Sequence, residues 1–127
     1  MNKLEIILKL AELMSEGSPD PGTAGVAERY IGKQVIIRSY SAGNHFGTLI
    51  AYDPAHGVAV LKDARRLWRW QTDRGVSLSE IANYGVVVKD SKICTVMAEQ
   101  IVAEIDEILP CSQVAAVNIQ SAPVYKP

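Results

Sequence analysis

Two cysteines, two histidines and one phenylalanine in 127 residues exclude several kinds of protein at once. Cys94 and Cys111 are too few for a disulfide-dense secreted scaffold and lack the paired spacing of a zinc site, so both read as reduced, packed thiols. His45 and His56 have no clustered carboxylates or thiols around them, and no metal or cofactor is expected. Lys3, Glu5, Lys9 and Glu12 interrupt the early apolar residues, which argues against a secretory leader, and no run approaches the roughly 20 apolar residues of a membrane span. A cytoplasmic protein is expected. Charge of one sign is also lacking: 13 Lys and Arg face 14 Asp and Glu, so any basic binding site must be local.

What is present suits a single domain spanning residues 1–127, with 48% hydrophobic residues to fill one core. Within residues 1–16, Leu4, Ile7, Leu8, Ala11 and Met14 recur at helical spacing, and Ile6, Leu10 and Leu13 broaden that face. Residues 17–29 hold two prolines and read as a loop. Residues 30–111 are β-rich. Strands are predicted at Val35 to Arg38, at Phe46 to Tyr52 with a bend at Gly47, and at Val58 to Lys62, joined by turns at Ser41 to Asn44 and Asp53 to Gly57. Ser77 and Glu80 form a capping-box pattern that predicts a helix from Leu78 to about Tyr84, stopped by Gly85. Val86 to Val88 and Ile93 to Met97 are β-rich. Alternation of Ile101, Ala103 and Ile105 with Glu104 and Asp106 predicts one half-buried strand over 99–109, with a helical alternative. In residues 112–127, Ser112 caps a short helix to Ile119 before an extended tail. The expected class is α+β: an N-terminal helix plus a strongly bent antiparallel sheet or small β-barrel.

The densest chemical signal is the run from Leu61 to Trp70, with Arg74 shortly after. Guanidinium forks match phosphate or carboxylate, and indoles offer stacking faces. Strand alternation would set Arg65, Leu67 and Arg69 on one face and Arg66, Trp68 and Trp70 on the other. Two readings stand: two or more of Arg65, Arg66, Arg69 and Arg74 clamp phosphates while Trp68 or Trp70 stacks on a base, or Asp63 pairs with an arginine and both tryptophans pack into the barrel or a subunit contact. Tyr40, Asn44 and His45, in the turn before Phe46, are candidates to complete an anion pocket. No nucleophile and base, metal set or glycine-rich nucleotide fingerprint is recognisable, so a non-enzymatic protein is expected.

Tyr30 to Arg38, Phe46-Gly47-Thr48-Leu49 with Asp53, and Val58 to Ala64 resemble the first Sm motif of Sm and Lsm proteins. That resemblance implies a helix before a bent small barrel, ring assembly, and RNA or nucleotide binding near the turn holding Asp53, His56 and Gly57. His56-Gly57 replaces the Met-Asn usual in that turn, and the Arg-Gly of the second Sm motif has no counterpart directly before Ile101 to Leu109. Val35 to Gly43, Phe46 to Leu49, Leu61 to Trp70, Glu107 to Cys111 and Pro123-Val124-Tyr125 resemble a family of small phage and prophage proteins, which implies a viral origin and the cytoplasm of a bacterial host. The leading expectation is a homo-oligomeric phage protein that binds a nucleotide-type phosphate ligand and sequesters a host antiviral signal. The alternatives are an Sm-like ring binding single-stranded RNA, and an interaction module that uses Trp68 and Trp70 against a host protein or within a virion.

Overall fold

The computed structural model describes residues 28–127 together with Lys3 and Val26, and the predicted N-terminal helix lies outside the described residues. The elements are β1 (Gln34–Ser39), β2 (Gly43–Asp53), β3 (Val58–Arg69), α1 (Leu78–Tyr84), β4 (Lys92–Val102), β5 (Ile105–Pro110) and α2 (Gln113–Ser121). All strand pairs are antiparallel, in the order β4-β3-β2-β1-β5. The class is α+β, as expected.

Chain length forces the bend. β4 and β5 occupy opposite edges of the sheet, yet only Ala103 and Glu104 join them. Four strand spacings would set flat edges about 19 Å apart, whereas three Cα steps reach only about 11 Å. The sheet must therefore coil until its edges approach, and Glu104 makes the corner at φ 51°. The segment 99–109, predicted as one strand, is thus two. β4 and β5 do not pair with each other, so the sheet is bent and open, and the closed barrel is not formed.

Bulges supply the curvature locally. Phe46 pairs with Arg65 and Thr48 with Lys62, so Gly47 faces both Asp63 and Ala64. Asp63 adopts φ 51° there. A side chain at position 47 would meet Leu61 Cβ at 3.1 Å and the Lys62 carbonyl at 3.2 Å, which explains the glycine at the predicted bend.

Two cores follow from burying both faces of the sheet. Val35, Ile37, Leu49, Leu61, Ala64 and Val102 fill the concave side. Ile36, Phe46, Leu67 and Ile93 cover the convex side and pack under Leu78 and Ile81 of α1 and Ala116 and Ile119 of α2. The continuous run Val35-Ile36-Ile37 serves both, which is why it does not alternate with polar residues. α1 begins with the predicted capping box at Ser77 and Glu80 and stops at Gly85, at φ 89°. The Ser112 hydroxyl accepts from the Ala115 N–H to cap α2. The third strand runs beyond Lys62 to Arg69, and Val86 to Val88 form no strand: a 3-10 turn spans Val88–Asp90.

Candidate functional site

A one-residue bulge decides which way the Arg/Trp run faces. Leu67 pairs with Ile93 and Arg69 with Lys92, leaving Trp68 as the extra residue on β3. The phase of the strand shifts at that point. Arg66, Trp68 and Arg69 are exposed, while Trp70 turns back against the convex core. The two-face alternation predicted for residues 65–70 therefore fails after Leu67, and Trp70, half-buried, packs on the core away from Trp68.

Trp68 keeps 56% of its surface exposed. Its ring lies 6.1 Å from that of Tyr125, tilted by 55°. The Lys92 ammonium stands 4.9 Å from both ring centroids, and the Arg69 guanidinium stands 5.7 Å from Trp68. Such cation–π contacts hold the cations beside the rings at about 0.5–1 kcal/mol each. The result is a platform made of an exposed aromatic pair, with Lys92 over both rings and Arg69 over Trp68. It can stack planar bases and neutralise the phosphates between them.

Arg65 takes no part in that surface. It is 2% exposed, its Nε–H donates to the Cys94 carbonyl at 2.9 Å, and its Nη1 donates to Ile119 O at 2.9 Å, to Gln120 O at 3.4 Å and to Ala122 O. Arg65 thereby drops out of the predicted phosphate clamp: Nε is spent on β4 and Nη1 on the C-terminal end of α2, where carbonyls carry partial negative charge. His45 is likewise corrected. It is fully buried, with Nε2 donating to the Ala42 carbonyl at 2.7 Å and Nδ1 without a partner among the described residues. Desolvation depresses its pKa, the Ala42 bond opposes this, and the Arg66 charge adds to it. Arg74 stands over the Tyr84 ring at 4.9 Å and beside Asp73, apart from the cluster. Tyr40 is 86% exposed and Asn44 half-buried. Neither joins the ring and cation contacts around Trp68.

The turn singled out by the Sm resemblance is anionic. The Asp53 carboxylate accepts from the Ala55 N–H at 3.1 Å and from His56 Nδ1 at 2.7 Å, and the His56 bond holds its pKa low. Gly57 O accepts from Ile105 N–H at 3.1 Å, which brings Glu104 alongside. A cationic phosphate seat is not built there.

Two members of the platform were not singled out from the sequence. Lys92 is an isolated lysine at the start of β4, and no local pattern marks it. Tyr125 lies in a tail read as extended and quoted for the phage-family resemblance but not as a site residue, although its N–H donates to Ile93 O at 2.9 Å and makes it part of the fold. Among the described residues, no group of three or more metal-ligating side chains occurs and no helix is long and apolar enough to cross a membrane.

Residues 32–119 match the model of the domain of unknown function DUF6948. The chain belongs to that family. No curated protein matches this DUF6948 chain. Among solved structures, it is similar to a heptameric archaeal Sm protein solved for its implications for the eukaryotic snRNP core, at 19% identity over 69% of this chain and 98% of that one, with a TM-score of 0.45. It is also similar to the P. aerophilum SmAP1 heptamer, at 18% identity over 71% and 93% with a TM-score of 0.46. A third is the Pyrococcus abyssii Sm protein in complex with a uridine heptamer, at 20% identity over 69% and 96% with a TM-score of 0.41. At these scores none of them bears on how the DUF6948 domain works.

Proposed function

We propose that this DUF6948 domain is a non-enzymatic binding module for single-stranded RNA, working as a homo-oligomer. The observation that carries it is the exposed Trp68 beside Tyr125, with Lys92 equidistant from both rings. Bases stack on the rings and Lys92, Arg69 and Arg66 meet phosphates, a combination that binds strands with little sequence preference. An isolated nucleotide signal has the same chemistry, but the Trp68 face is exposed and, among the described residues, does not form an enclosed pocket. A cleft of about 580 Å³ lies elsewhere, between Lys33, Cys111 and α2, and holds no tryptophan or arginine.

Oligomerisation rests on β4. Its outer edge has no strand partner among the described residues, and Val96, Met97 and Ile101 are exposed along it, Ile101 by 68%. A long apolar edge is an aggregation hazard unless a helix, a loop or another chain covers it; Lys3 of this chain reaches Glu99 on β4, and a second copy is proposed to cover the apolar remainder. The test is fluorescence anisotropy with a labelled uridine oligonucleotide, competed by mononucleotides and cyclic dinucleotides. Saturable binding of the oligonucleotide that mononucleotides displace only weakly is expected. Tight capture of a single nucleotide and indifference to the oligonucleotide would replace this reading with signal sequestration.

A further inference from the structure

Resting on the reading of the Trp68 platform as a single-strand site, we propose that buried Arg65 is its positioning residue: one guanidinium pins the C-terminal tail so that Tyr125 stands beside Trp68. The platform draws on three segments remote in sequence, with Trp68 and Arg69 on β3, Lys92 on β4 and Tyr125 in the tail beyond α2. Arg65 ties the three together. It belongs to β3, it donates to Cys94 O on β4, and it donates to Ile119 O, Gln120 O and Ala122 O where α2 gives way to the tail. Cys94 adjoins Ile93, whose carbonyl accepts the Tyr125 N–H. The tail is therefore fixed at Ala122 by Arg65 and at Tyr125 by the neighbour of the residue that Arg65 also holds.

Residue chemistry fits that role. Nη1 meets the partially negative carbonyls where α2 ends while Nε holds Cys94 O on β4, so two nitrogens of one rigid plane tie strand and tail together. An ammonium has a single nitrogen on a flexible stem and cannot hold both at once. Among the described residues the hydrogen-bond partners of Arg65 are backbone carbonyls, so what its charge holds in place is main chain. Arg65 thus affects the ligand surface from beneath it without touching ligand.

The test uses the full chain labelled with 5-fluorotryptophan, in which the Trp68 resonance reports the neighbouring ring and ammonium, together with affinity for a uridine oligonucleotide. Arg65→Lys, Tyr125→Ala and their combination are compared. Each single change is expected to move the Trp68 resonance in the same direction and to weaken binding by about tenfold, with the double variant no weaker than Tyr125→Ala alone. A folded Arg65→Lys protein with an unmoved Trp68 resonance, or losses that multiply in the double variant, would overturn the proposal. Should Arg65→Lys fail to fold, hydrogen exchange of wild-type protein decides: the Tyr125 amide is expected to be as protected as that of Ile119, and exchange at the unstructured rate overturns the pinned tail. The fluorine signal is independent of RNA. Positioning can therefore fail while RNA binding stands, or hold while RNA binding fails.

Discussion

The Lys92 ammonium lies 4.9 Å from the Trp68 ring and 4.9 Å from the Tyr125 ring, so one cation bridges two aromatic faces contributed by β3 and the C-terminal tail. Trp70, two residues further on, faces the core. The two tryptophans therefore separate binding from stability. Trp68→Ala is expected to lower affinity for a uridine oligonucleotide by the loss of one stack, about 1–3 kcal/mol, with little change in the denaturant midpoint. Trp70→Ala is expected to do the reverse, lowering the midpoint while the folded protein binds as before. Anisotropy and urea titration on the same preparations check both.

The rim cations carry a separate signature. Each phosphate neutralised on a single strand contributes about −0.7 to the slope of log K against log salt concentration. Lys92→Gln and Arg69→Gln are each expected to make that slope shallower by roughly this amount, measured by anisotropy over a salt series. Arg74→Gln, which removes a side chain held over Tyr84, is expected to leave the slope unchanged.

Buried His45 makes stability depend on pH. Desolvation depresses its folded-state pKa below the ordinary value of about 6.5, so the folded protein keeps it neutral to lower pH than the unfolded chain does. Below that value the unfolded chain binds the proton more readily, and stability is lost as pH falls from about 6.5 through the folded-state pKa. Above about 6.5 both states hold the imidazole neutral and the contribution is fully present. Urea midpoints are expected to fall from pH 7 to pH 5, and His45→Gln to flatten that part of the curve. An equally steep fall in His45→Gln would place the proton elsewhere.

The exposed β4 edge predicts self-association. Paired substitution Met97→Lys and Ile101→Lys sets charge on a strand edge, a feature that natural sheets use to block pairing. Sedimentation velocity is expected to show an oligomer for the wild type and a monomer with unchanged circular dichroism for the variant. A monomeric wild type would remove the homo-oligomer from the proposed function.

Much of the fold was legible where local rules and burial agree. Gly47 marked the bend, Ser77 with Glu80 marked the start of α1, Gly85 marked its end and Ser112 marked the start of α2, because each supplies a backbone conformation or a capping group that its neighbours cannot. The break within 99–109 was hidden, since Ile101, Ala103 and Ile105 keep their alternation across a corner that only Glu104's left-handed backbone reveals. The site was half legible. Aromatic and cationic content pointed to the right stretch of β3, but charge made Arg65 a ligand candidate although alternation set it on the face of buried Leu67, and unbroken alternation put Trp70 beside Trp68. The bulge that leaves Trp68 unpaired on β4 reverses the phase, and a bulge has no signature in side-chain alternation. Lys92 and Tyr125 join Trp68 only through strand pairing and the tail bond to Ile93, contacts that sequence spacing does not encode.

The link of Ala103 and Glu104 acts as a drawstring. Because it is shorter than the width it must cross, the curvature of the sheet is set by a length of chain as well as by packing, and the concave core is cinched by a covalent tether that cannot stretch. Each residue added there would pay out about 3.5 Å of slack. A few such residues would let the sheet open flat, and Leu49, Leu61 and Val102 would face water in place of one another.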